Sequence, residues 1–530
     1  MSAEGSTASS TPQYTMTHRQ IQLVLSGLMV GTLMGSLDQT IVATALPTIT
    51  GDLGGIRYLS WVVTAYLLAS TASTALYGKL SDIYGRKLLY QVAIGLFLVG
   101  SMLCGAAQNM AELIGARGIQ GLGGGGLLVV AFAIIGDVIP PRERGRYQGY
   151  FGAVFGVSSI AGPLLGGFFV DGPGWRWIFY INVPIGLAAL VVTSRVLHLP
   201  RNRQPHKIDW TGAILLVAGV SSLLLALEQG RDRGWGSTPI VSLEVFALVL
   251  LAAFLFVESR VEEPILPLNI FRNRTFTVAG SLAFLMGVGL FGVIVFLPVY
   301  LQIVKGLSPT QSGLATLPLM VGLLTSSITS GRIISRRGRY KVFPVVGAGL
   351  STVALILLAT LAAGTPRWQY SLYMLLLGLG FGCTTQVLVL AAQNAVDRKD
   401  LGVATSTATF LRQMGGTFGT AIFGTVLVNQ LVSGIHHRLP EGVGAGCDPR
   451  AIAGAPQAIL ACPPAVREPL QLAFVHALNV TFFVAVPLMG AAFLLSFFLK
   501  ELKLGGREDG MAEPVVVDVE SAGSIARSGP

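Results

Sequence analysis

At 530 residues, with 52% hydrophobic and only 12% charged side chains and a mean hydropathy of +0.67, the chain is too apolar for a soluble domain of its size. A formal net charge of +10 raises nucleic acid as a partner, but the charge is unevenly placed. With the N-terminus in the cytoplasm, most of the 36 Lys and Arg fall in loops on that side, the bias that orients membrane proteins, so no nucleic acid is expected.

Runs of about 20 apolar residues, enough to cross a bilayer, are read near 21–46, 58–77, 88–107, 111–136, 147–169, 177–197, 211–229, 240–258, 277–304, 308–331, 342–363, 368–393, 403–432 and 474–499. The expectation is an all-α polytopic membrane protein with 14 transmembrane helices and both termini cytoplasmic. The polar segment 1–18 is followed by no small-residue cleavage site, so the first span is expected to be retained.

The first span carries one ionisable side chain, Asp38. A carboxylate at the bilayer centre costs at least about 2.5 to 3.5 kcal/mol, so it is kept where it meets water, a partner or a substrate. A cap at the membrane edge or a pair with a neighbouring helix would also account for it. Pro47, Gly51 and Gly54 are expected to end this span near the outer face.

Span two runs into Gly78-Lys79-Leu80-Ser81-Asp82-Ile83-Tyr84-Gly85-Arg86-Lys87, read as a tight inner loop whose glycines permit the turn. Its bases suit an anionic inner leaflet. The spacing recurs at Gly331, Gly338 and Arg339, with Ser335 where the first copy has Asp82. That repeat divides the spans into six, two and six, the pattern of transporters built from two parallel six-helix repeats.

In span four, Arg117 and Gln120 precede Gly121 and Gly123-Gly124-Gly125-Gly126. No strand precedes these glycines, which excludes a phosphate-binding loop. Gly118, Gly121 and Gly125 share a face that would let another backbone approach. Arg117 either snorkels outward or, buried, holds an acid ionised. Span five has small residues at Gly152, Gly156, Ser159 and Gly166, with Gly162-Pro163 and Gly166-Gly167 as a bending seam. The stretch Gly174 to Pro184 is read as an interfacial aromatic belt.

Spans nine to fourteen contain no Asp or Glu as placed. They offer Gln302, Gln386 and Arg412, with Phe291 among the aromatics, as pocket candidates beside Gln120. Cys104 and Cys383 lie within spans. Cys447 and Cys462 fall in the 433–473 loop, expected outside, where a disulfide would persist if the geometry allowed it. The six His, at 18, 198, 206, 436, 437 and 476, form no metal-ligand cluster within the spans.

Taken together, residues 36–47, 78–87, Arg117 with Gly121, Gly162-Pro163 with Gly166-Gly167, and Trp175 to Gly186 resemble the motifs of the major facilitator superfamily. The match is to its fourteen-span drug:proton antiporter family, the DHA2 type. The resemblance implies a two-bundle transporter, not an enzyme, that exports amphipathic small molecules, cations among them, against inward protons, with the gradient as its only cofactor. Its roles carry over as coupling at Asp38 and Arg117, a conformational latch at Gly78, Asp82, Gly85, Arg86 and Lys87, and an antiporter seam at Gly156, Gly162, Pro163, Gly166 and Gly167. Export of an endogenous metabolite or lipid is the alternative. The expected organisation is a tail at 1–19, a six-helix bundle at 20–205, two inserted helices at 206–260, a second bundle at 261–504 and a tail at 505–530. The Arg excess over Lys hints at a bacterial plasma membrane.

Overall fold

The computed structural model describes residues 18–53, 59–197, 209–261, 264–397, 400–438, 463–502 and 504. The first bundle comprises α1 (His18–Leu53), α2 (Leu59–Tyr84), α3 (Arg86–Ala106), α4 (Met110–Val138), α5 (Pro141–Asp171), α6 (Trp177–Tyr180) and α7 (Asn182–Val196). Then come α8 (Trp210–Arg233) and α9 (Thr238–Glu258). The second bundle has α10 (Arg274–Ile303), α11 (Pro309–Ala315), α12 (Leu317–Arg337), α13 (Val342–Leu358), α14 (Arg367–Asn394), α15 (Leu401–Arg438) and α16 (Pro464–Ser496).

Among the described residues, 12 helices are long and apolar enough to cross a membrane. Two predicted spans fall short for different reasons. The helix α13 has only 17 residues. The helix α2 has 26 but is rich in hydroxyls, with Thr64, Ser70, Thr71, Ser73, Thr74 and Ser81 all buried. Ser73, Thr74 and Ser81 bond to carbonyls of the preceding turn, Thr74 to that of Ser70, which lets them sit inside a bundle.

Several boundaries differ from expectation. The helix α1 continues past Pro47 to Leu53, because Ile49 and Thr50 are buried in the first bundle and Thr50 bonds back to the Leu46 carbonyl at 3.0 Å. The predicted span at 177–197 breaks into α6 and α7 around Ile181, and that at 308–331 breaks at Thr316 between α11 and α12. The helix α16 begins at Pro464, ten residues before the expected start. The segment holding Cys447 and Cys462 lies outside the described residues, while Cys104 and Cys383 are free.

The two bundles have separate apolar cores. One joins α10 and α12 to α16, through residues such as Phe276, Tyr300, Phe381 and Phe474. The other centres on α1 to α5, around Tyr90, Phe97, Phe132 and Phe151. The helix α8 lies over the junction, where Leu216, Val220 and Leu224 pack with Leu68 and Leu76 of α2 and Met414 of α15. The outermost helix is α9, whose Leu248 and Val249 are exposed.

Close contact between the bundles is concentrated at the end where α2 meets α3. There Gly145 of α5 and Gly331 of α12 pass backbone against backbone. Arg142 donates to the Ser335 and Arg336 carbonyls at 3.0 and 2.7 Å, placing a cation at the negative end of α12. The same contact corrects the reading of Gly78 and Gly331 as turn residues. Gly78 is helical and lies against Ser406 and the Gly402 carbonyl of α15, so it serves close approach. The chain reverses instead at Gly85, with φ of 96°, and in the second copy at Gly338, with φ of 69°.

Candidate functional site

Asp38 is fully buried in the middle of α1, and four other elements of the first bundle supply its surroundings. The helix α4 is capped by Asn109, which accepts from the Glu112 backbone N–H. Two turns further on, Arg117 places Nη1 2.5 Å from Asp38 Oδ2. One turn beyond that, Gln120 donates from Nε2 to Asp38 Oδ1 at 2.8 Å and to Ser101 Oγ at 3.1 Å. Its Oε1 accepts from Arg117 at 2.7 Å.

Asn182, the first residue of α7, donates from Nδ2 to Asp38 Oδ1 at 3.2 Å and to Ser101 Oγ at 2.8 Å. Ser101 in turn donates to the Phe179 carbonyl at 3.0 Å. The break between α6 and α7 therefore brings both a carbonyl and an amide to this point. The Arg117 Nε donates to the Val62 carbonyl, and its guanidinium stacks 4.4 Å from the Tyr66 ring centre. Asp38, Arg117, Gln120, Ser101, Asn182 and Tyr66 are each at most 1% exposed. An ion pair taken that far from water holds only when hydrogen bonds satisfy its remaining atoms, which is what these neighbours provide. One polar atom is left over: Asn182 Oδ1 has no partner among the described residues.

Asp38, Arg117 and Gln120 stand out in the sequence, whereas Ser101, Tyr66 and Asn182 do not. Asn182 sat within the stretch read as an interfacial belt, and that reading needs correction. Trp175 is buried and donates to Asp52 Oδ2 at 2.9 Å, Arg176 pairs with the same carboxylate at 3.1 Å, and Phe179 is buried against the Arg117 side. Only Trp177 of this group is largely exposed. These donors hold the Asp52 carboxyl below the usual range, Trp175 foremost.

The latch residues are also brought together, except for one. Arg86 pairs with Asp82 and, at 2.8 Å, with Asp137 of α4, and it also donates to Ser81. Asp82 accepts from the Val403 backbone N–H at 3.2 Å, which ties this cluster to α15 in the other bundle. Burial pushes the Asp82 carboxyl up to about 6, against the pull of Arg86. Lys87 points elsewhere and donates to the Ser194 carbonyl of α7 at 2.6 Å.

The small residues of α5 divide between two neighbours. Gly152 and Gly156 face Ser327 and Leu324 of α12, across the bundle junction. Gly162 and Gly166 face Thr40 and Thr44 of α1, within their own bundle, because α5 crosses from one helix to the other along its length. Gly167 faces open space, and Pro163 lies within α5. In α4, Gly121 and Gly125 lie against the Tyr66 and Ser70 carbonyls as expected, while Gly118 has no near neighbour.

Of the pocket candidates, Gln302 is at the far end of α10, bonded to Ser312 at 3.0 Å. Phe291 of α10 and Arg412 of α15 lie on packed helices one turn apart: Gly287 lies against the Arg412 carbonyl and Gly416 against the Phe291 ring. Gln386 is buried on α14.

A profile of the Major Facilitator Superfamily matches residues 28–420. The chain belongs to that superfamily. Among its relatives, the multidrug transporter protein MdtP of Bacillus subtilis (strain 168) is 40% identical over 408 residues, covering 76% of this chain and 75% of that one. An uncharacterized MFS-type transporter of Mycobacterium tuberculosis is 40% identical over 485 residues, 91% of this chain and 70% of its own. The solved proton:xylose symporter XylE aligns with a TM-score of 0.63 at 14% identity, over 92% of this chain and 98% of that one. That likeness bears on the fold alone. As a member of the major facilitator superfamily, the chain is a multi-pass membrane transporter and not an enzyme.

Proposed function

We propose that this transporter exports amphipathic small molecules in exchange for inward-moving protons, as a fourteen-span antiporter of the drug:proton type. Its address in this reading is a bacterial plasma membrane, with both termini cytoplasmic. The observation that carries the proposal is the buried constellation around Asp38, which joins one acid, one guanidinium and two amides from three helices in a chain related to multidrug transporters.

Asp38 is the proton-accepting group. Ionised, it is held by Arg117 Nη1, Gln120 and Asn182; protonated, it releases its hold on Arg117, which keeps Gln120 Oε1 and the Val62 carbonyl. A change of charge on α1 is thereby felt on α2, α4 and α7 at once. Proton and substrate compete through this linkage, and the two bundles rock between openings to either side. Moving one charge through 100 mV supplies about 2.3 kcal/mol, which at about 1.36 kcal/mol per decade supports a gradient on the order of 50-fold.

Efflux from loaded cells tests this, using ethidium as a lipophilic cation and Nile red as a neutral probe. Wild type is compared with Asp38→Asn at matched expression, with and without a protonophore. Gradient-dependent export by wild type and none by Asp38→Asn is expected. Equal export by both proteins would remove Asp38 from coupling. No export of either dye by wild type would favour a narrow endogenous substrate.

A further inference from the structure

The second bundle holds a cation, Arg412, that no group among the described residues neutralises. Arg412 lies within α15 and is enclosed by protein, yet part of its side chain remains accessible. It makes no hydrogen bond or ion pair among the described residues, whereas Arg86, Arg117, Arg142 and Arg144 are all satisfied. The described acids nearest in sequence, Asp397 and Asp400, lie in the connection before α15, and Glu468 is in the first turns of α16. Asp38 is committed to Arg117. Among the described residues, Arg412 is therefore a positive charge without a counter-charge.

A second unpartnered group lies on the facing helix. Gln386 is 5% exposed, its Oε1 has no partner, and its side chain makes no hydrogen bond. The register between α14 and α15 is fixed by Gln393, which donates to Thr405 Oγ1 at 2.9 Å. Gln386 precedes Gln393 by seven residues, and Arg412 follows Thr405 by seven. In antiparallel neighbours, each step is two turns, about 10 Å, in the same direction and on the same face. Arg412 and Gln386 thus continue the stripe that carries the Gln393–Thr405 bond. One turn beyond Arg412, Phe291 of α10 lies against Gly416, which puts an aromatic ring one turn along α15 from the charge.

We propose that Arg412, Gln386 and Phe291 form an anchoring subsite for the carboxylate of an amphipathic aryl acid. The guanidinium supplies a planar pair of donors, the carboxamide a further polar contact once rotated, and the ring a stacking surface. This deepens the export reading given above and rests on it for its biological sense, but binding can be measured without transport.

The test uses purified full-length protein in detergent and two matched fluorescent probes, 1-pyrenebutyrate and its neutral amide, followed by energy transfer from tryptophan. Wild type should bind the carboxylate at least about tenfold more tightly than the amide at neutral pH, or about 1.4 kcal/mol. Arg412→Gln should abolish that preference while leaving amide affinity unchanged, and Arg412→Lys should keep part of it. Gln386→Leu should weaken the carboxylate more than the amide. Equal wild-type affinity for the two probes, or an equal loss of both in Arg412→Gln, would overturn the subsite. Export of both dyes without a charge preference in binding would sink only the subsite, and a charge preference without export would sink only the transport reading.

Discussion

Gln148 of α5 donates from Nε2 to Oε1 of Gln393 on α14 at 3.1 Å, a buried side-chain hydrogen bond across the junction of the two bundles. Gln393 uses its own Nε2 on the Phe132 carbonyl at 3.1 Å and on Thr405. One amide thus ties α4, α5, α14 and α15 together near the closed end. Gln393→Leu strands several buried polar atoms, each worth about 1 to 3 kcal/mol when unmade. The expected result is a lower melting temperature and faster labelling of a cysteine introduced at the junction, whereas Gln393→Glu should retain part of the closure. Unchanged melting and labelling in the leucine variant would refute the tie.

Burial pushes the Asp82 carboxyl up to about 6 from its ordinary value of 3.8. The arrangement that buries it therefore binds a proton that an open, hydrated arrangement gives up. Its contribution to closure is full below pH about 4 and is lost as pH rises through about 6. Acidification from pH 7 to 5 should populate the closed end, seen as a shortened spin-label distance between α2 and α15. Asp82→Asn should flatten the profile, with Arg86 and Asp137 still in place. A profile that is unaltered by the substitution would assign the effect to another group.

Removing one member of the buried pair should cost more than removing both. Arg117→Ala leaves Asp38 in a site closed to water, a loss of about 3 to 5 kcal/mol. The double substitution Asp38→Asn with Arg117→Gln should recover much of the thermal stability, while still failing to export against a gradient. If the double variant melts as low as Arg117→Ala, the two charges are not coupled as the 2.5 Å contact indicates.

At Gly331, a Cβ would meet the Gly145 carbonyl, and backbone cannot move aside as a side chain tip can. Gly331→Ala should separate α5 from α12 at the closed end, at a cost of about 1 to 3 kcal/mol. Gly118→Ala in α4, where no neighbour is near, serves as the matched control and should be silent. Cysteine accessibility at the junction, measured in both variants, decides the point.

Most of the helices could be read from the sequence because 12 of them are long apolar runs, a signal that depends only on length and composition. Asp38 and Arg117 stood out because charge is rare there. Asn182 and Ser101 did not, since uncharged polar residues occur in spans for many reasons and only the break at Ile181 turns Asn182 toward Asp38. The roles of individual glycines were hidden for a similar reason. Gly78 and Gly85 look alike as letters, but one contacts α15 and the other bends the chain. The division of the α5 seam depends on a crossing between helices, which spacing along one helix cannot encode.

Only Gly85 separates α2 from α3, and Arg86, the next residue, is fastened to Asp137 of α4. A joint one residue long has no slack. When α2 tilts, the first turn of α3 must be carried with it, and the Arg86 guanidinium pulls on α4 like a pinned linkage. Leverage applied where α2 touches α15 is thereby delivered to the helix that holds Arg117, without any flexible loop to absorb it.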